Sequence, residues 1–111
     1  MAYNDITPVK LGQAAITASV TTLYTVPAST RAFVKNLDIV NTSAGALTYR
    51  IYLVPSAGSA GTANAIFYDF PIDSKENIQW TGTQILNAGD TIQIEASGTG
   101  ITITASGAEA V

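Results

Sequence analysis

Period-two alternation of apolar and polar side chains constrains this chain more than any other feature. It places every second side chain on one face of a sheet, the mark of a half-buried strand. In Thr91-Ile92-Gln93-Ile94-Glu95-Ala96 the even positions are apolar, and in Ile101-Thr102-Ile103-Thr104-Ala105 the odd ones are. Ser97-Gly98-Thr99-Gly100 lies between them, and two such runs around a glycine-containing linker predict a β-hairpin. Upstream, Ile16, Ala18, Val20, Thr22, Tyr24 and Val26 share one parity, which predicts a single long strand stopped by Pro27.

Further strands follow at near-regular spacing. Phe33, Leu37 and Ile39 are expected on one face of the next, closed by Asn41-Thr42-Ser43-Ala44-Gly45. From Leu47 to Val54, Tyr49, Ile51 and Leu53 alternate with Thr48, Arg50 and Tyr52. Ile66, Tyr68, Phe70 and Ile72 share a parity, Ile78 and Trp80 continue after Asp73-Ser74-Lys75-Glu76, and Asn87-Ala88-Gly89-Asp90 leads to the last two runs. No helical periodicity competes. The pattern predicts an all-β fold, a single antiparallel β-sandwich or jelly roll of about seven to eight strands.

The longest interruption, Ser56 to Asn64, is rich in Gly, Ala and Ser, and mobility is expected there. Residues before about Gln13 do not join the alternation and contain Pro8. The domain reading is therefore an extended N-terminal arm over 1–13 and a sandwich over 14–111. Tyr3, Ile6 and Pro8 on the arm, with Tyr52 on a strand, are the candidate partner-binding residues. The arm is either a frayed terminus or an arm on a neighbouring subunit, where Tyr3 and Ile6 would bury apolar surface that a monomer leaves open.

Composition narrows the chemistry. The 111 residues suit one domain, and 47% hydrophobic content against 12% charged is enough apolar surface to drive folding. There is no histidine and no cysteine, which removes the commonest general base, Ser/His and Cys/His nucleophiles, and thiolate metal sites. Eight carboxylates remain, but no spacing among them predicts a catalytic pair or a calcium loop, and Asp73 and Asp90 suit turns. No enzyme activity, cofactor or metal is expected. Lys10, Arg31, Lys35, Arg50 and Lys75 are scattered in a chain of net charge −3, a poor footprint for nucleic acid. The N-terminus lacks the basic start and apolar run of a secretory signal, and no apolar stretch reaches the roughly 18 residues of a membrane span. Synthesis in the cytoplasm as a soluble chain is expected.

Trp80, Tyr49, Tyr52 and Tyr68 raise a carbohydrate-binding alternative, since sugar faces stack on aromatic rings. Tyr49, Tyr68 and Trp80 carry the inward parity of their strands and are expected in the core, leaving Tyr52 as the surface aromatic.

Leu23-Tyr24-Thr25-Val26-Pro27-Ala28-Ser29-Thr30-Arg31-Ala32, then Ile39-Val40-Asn41-Thr42-Ser43, Tyr52-Leu53-Val54-Pro55-Ser56 and Leu86-Asn87-Ala88-Gly89-Asp90-Thr91-Ile92, resemble a group of small tailed-bacteriophage structural proteins. The resemblance covers roughly residues 12 to 107. It implies a virion component, foremost a capsid decoration or accessory protein bound to the head shell. A tail, baseplate or fibre part that binds a host receptor or carbohydrate is the alternative. It also implies the major capsid protein or other virion proteins as partners, and a homo-oligomer, with trimers matching quasi-three-fold capsid sites. No catalytic residues carry over.

Overall fold

A computed structural model describes residues 4–111. Among them are eight strands: β1 (Ile6–Ile16), β2 (Thr21–Thr25), β3 (Arg31–Asn41), β4 (Leu47–Val54), β5 (Ala65–Ile72), β6 (Asn77–Leu86), β7 (Thr91–Ala96) and β8 (Ile101–Ala110), with one short 3-10 turn at Thr62–Asn64. Two four-stranded antiparallel sheets result, sheet I in the order β1-β8-β3-β6 and sheet II in the order β2-β7-β4-β5. Of the strands adjacent in sequence, β4 and β5 alone pair with each other. Every other connection carries the chain from one sheet to the other, and the fold is a jelly roll.

The core lies between the sheets. Leu37, Ile39, Ile101, Ile103 and Ala105 of sheet I face Tyr49, Ile51, Ile92 and Ile94 of sheet II, all buried. Removing each of the isoleucines from water contributes about 1.5–3 kcal/mol. At the β5/β6 side the interior is aromatic: the Tyr49 ring lies 5.6 Å from Phe67 and 5.7 Å from Phe70, and Trp80 packs half-buried against the core. At the opposite side the Tyr24 hydroxyl donates to Glu109 Oε2 at 2.5 Å, joining β2 to β8 across the sandwich.

Several expectations are corrected by this topology. The predicted hairpin of Thr91–Ala105 does not form: β7 belongs to sheet II and β8 to sheet I, so Ser97–Gly100 is a corner between sheets. Gly100 there has φ +120° and offers its carbonyl to the Thr42 N–H at 2.8 Å. The single long strand of Ile16–Val26 is cut at Thr17–Val20, where Thr17 Oγ1 accepts from the Ser19 N–H and the chain changes sheets. Nor is the segment before Gln13 a free arm. From Ile6 it pairs with β8 as the edge strand of sheet I. Its alternation was hidden because a bulge between Lys10 and Gly12 moves the inward parity from Val9 and Leu11 to Ala14 and Ile16.

Bulges also re-aim β3 and β5. In β3 the irregularity at Lys35 shifts burial from Ala32 and Val34 to Leu37, Ile39 and Asn41, so Phe33 faces outward, away from Leu37. In β5, Tyr68 and Asp69 stand opposite the single residue Arg50, with Asp69 at φ +49°. The result is that Phe67 and Phe70 lie on the inner side of β5, Phe70 at the open edge of the sandwich and still exposed, and Tyr68 on the outer side, against the expectation that Tyr68 packs in the core. The Ser56–Asn64 segment carries its own anchor: Asn64 Oδ1 accepts from the Gly61 N–H and its Nδ2 donates to the Ser59 carbonyl.

Candidate interaction surface

The outer face of sheet I is built from rows of directly paired residues, which project on one side of a sheet together. Pro8 pairs with Ala108, Ala108 with Phe33, and Phe33 with Ile85, so a continuous apolar row crosses all four strands. Ile85 is 58% exposed and Ile6, one row beyond Pro8 on β1, is 61% exposed. Pro8 is tolerated because β1 is an edge strand and needs no ladder N–H there. The next row towards the middle of the face starts with Lys10 beside Ser106, and the bulge residue Lys35 projects from β3 close by. Lys10 Nζ donates to Gln13 Oε1 at 3.3 Å and Lys35 Nζ to Thr83 Oγ1 at 2.8 Å, neutral partners in both cases. Past the lysines come uncharged polar groups, including Gln13 and Thr104, hydrogen-bonded at 3.3 Å, and one carboxylate, Asp38.

The outer face of sheet II is closed on itself. Arg50 Nε donates to Asp69 Oδ1 at 2.6 Å, its Nη1 reaches Glu95 Oε1 at 3.4 Å, and its guanidinium carbon lies 4.2 Å over the Tyr68 ring. The Arg50 hydrogen bond holds the Asp69 carboxyl below its usual range, and the same bond raises the guanidinium's own pKa. A shallow cavity of about 300 Å³ opens beside this cluster, lined among others by Thr48, Ser97 and Glu95. Its charged groups are spent on each other. Asp69 and Glu95, both joined to one arginine, are not a free acid and base.

Of the residues singled out from the sequence, Ile6 and Pro8 lie together on the outer face of sheet I, and Tyr3 lies outside the described residues. Tyr52 is not a surface aromatic. It is 3% exposed, its hydroxyl donates to Glu95 Oε1 at 3.2 Å, and burial first of all raises its pKa. Among the described residues the exposed aromatics are instead Tyr68 and Phe70, at 47% and 41%. Phe33 and Ile85 were missed as surface residues because their contribution depends on register, which alternation along a single strand does not reveal. Asp90 serves a turn as expected, accepting the Ser56 and Asn87 N–H groups. At the other acidic turn Glu76, rather than Asp73, supplies the carboxylate, capping the Asp73 N–H at 2.7 Å.

With the strand order and both faces established, the fold can be set beside known structures. A chain of the T13 IBDV viral particle superposes with a TM-score of 0.53 at 13% identity, over 96% of this chain and 30% of that one. A chain of the VP2 subviral particle of infectious bursal disease virus gives 0.50 at 14% identity, over 96% and 32%. What is shared is the fold. Both neighbours come from viral particles, not from a tailed phage, and this chain spans about a third of their length. No protein-family model and no curated protein matches the chain.

Proposed function

We propose that this chain is a non-enzymatic structural protein of a tailed-phage virion, a decoration or accessory protein bound to the head shell. The observation that carries the reading is the two-sheet jelly-roll fold, in which nearly the whole chain superposes on a chain of a viral particle. The turn-and-strand motifs that resemble small phage structural proteins narrow the particle to a phage. In this reading the major capsid protein is the partner, copies of the chain associate as trimers at quasi-three-fold sites, and the protein is made in the host cytoplasm and resides in the virion. Neither cofactor, nucleic acid nor membrane takes part.

The test is co-sedimentation of purified protein with empty phage shells of the same origin. Saturable binding in a fixed ratio to the major capsid protein is the expected result; absence of binding rejects the head-shell role. A tail, baseplate or fibre role in receptor or carbohydrate binding is favoured by one observation, the exposed Tyr68 and Phe70 on the β5 edge. Retention on a glycan array, lost in Tyr68→Ala, would support that alternative.

A further inference from the structure

Resting on the virion reading, we infer that the Pro8–Ala108–Phe33–Ile85 row of sheet I docks an apolar protein surface bordered by carboxylates, presented by the shell protein and not by a second copy of this chain. Three features lead there. The row is continuous across the whole width of the sheet and ends at both edges in well-exposed side chains, Pro8 and Ile85. A patch of this kind, with a polar border, marks an interaction site. The border is cationic in a chain of net charge −3: Lys10 and Lys35 stand beside the row, and among the described residues both donate to neutral oxygens alone. Each ammonium can accept a carboxylate from outside without giving up an ion pair inside.

That charge distribution also selects the occupant. In an isologous dimer whose two-fold axis crosses the row, the same patch meets itself in register, and Lys10 and Lys35 of one copy lie against the lysines of the other. Like charges brought together over an apolar contact oppose association. A partner whose apolar patch is edged by Asp or Glu meets the same lysines favourably, and its approach is steered at low salt. The outer face of sheet II offers no equivalent, because its arginine already holds two carboxylates.

The experiment measures binding to empty shells for the unaltered protein, Ile85→Ser, the double charge reversal Lys10→Glu/Lys35→Glu, and Ser59→Glu as a control on the exposed β4–β5 loop. Circular dichroism and melting establish that each variant is folded. Docking through sheet I predicts that Ile85→Ser and the lysine reversal each weaken binding about tenfold or more, while Ser59→Glu binds normally. Added salt weakens the unaltered protein more than the lysine variant. If the unaltered protein binds and both sheet I variants bind equally well, the docking surface is wrong and the virion reading stands. If the unaltered protein fails to bind shells, the head-shell reading falls and takes this partner with it. Sedimentation velocity of the protein alone supplies the remaining outcome: a concentration-dependent dimer abolished by Ile85→Ser would make the occupant a second copy and overturn the inference.

Discussion

The two outer faces of this sandwich solve the same problem differently. On sheet II the polar groups are matched within the chain: one guanidinium bridges two carboxylates and stacks on Tyr68, and Tyr52 is buried with its hydroxyl on Glu95. On sheet I an apolar row ends in the exposed Pro8 and Ile85, and two lysines have neutral partners. A face that is complete by itself gains little from a partner, whereas an open one gains from being covered. The difference separates a face whose polar groups are matched within the chain from one whose lysines are not paired with acids.

The most drastic way to break this contrast is at the backbone under the row. A Cβ on Gly107 would lie 1.8 Å from the Phe33 carbonyl oxygen, so Gly107→Ala must force β3 and β8 apart. A loss of about 4 kcal/mol or more, or failure to fold, is expected in urea titration. Next in size is an alkaline transition of the interior that both faces share. Burial, then the bond to Glu109, raises the Tyr24 pKa, and burial, then Glu76, pushes Tyr49 up to about 12. Phenols of the unfolded chain ionise near about 10, so above that pH the unfolded state holds fewer protons than the folded one. This contribution to stability is complete below pH of about 10 and declines as pH rises towards 12. Urea midpoints that stay level across that range would contradict it.

Smaller effects sharpen the comparison. Arg50→Gln leaves Asp69 and Glu95 without their common cation and should lower the melting temperature, with partial recovery in high salt. The Lys10→Glu/Lys35→Glu variant should melt within about 0.5 kcal/mol of the unaltered protein. Equal melting losses in the two would erase the distinction between the faces. Smallest of all is Tyr49→Phe. Among the described residues the buried Tyr49 hydroxyl has no hydrogen-bond partner, so its removal should leave stability unchanged or slightly raised, read from the same melts.

Strand content and the location of most turns were legible in the sequence, because alternation and Gly, Pro, Asn and Asp clusters are local properties. Two things were not. A turn such as Ser97–Gly100 has the same chemistry whether it closes a hairpin or crosses between sheets, and that choice depends on which distant strands are free to pair. Parity is the other. One inserted residue inverts every side chain beyond it, and the irregularities at Leu11, Lys35 and Tyr68–Asp69 did so in three strands. For that reason Tyr68 was expected inside and the outward aim of Phe33 was missed. Tyr52 kept its outward parity yet is covered, since parity specifies the side of a sheet and not what lies upon it. Ile6 and Pro8 were noticed for their apolar character, but their neighbours in the row became visible through strand pairing.

In sheet I the last strand, β8, sits between β1 and β3 and bonds to both along their lengths, with Ala110 opposite both Ile6 and Arg31. On a ribosome, β1 and β3 therefore emerge long before the strand that joins them. Sheet I cannot close until nearly all of these residues have been synthesised, and the intervening edges stay open to mispairing throughout translation. Intolerance of truncation within β8 follows from that strand order.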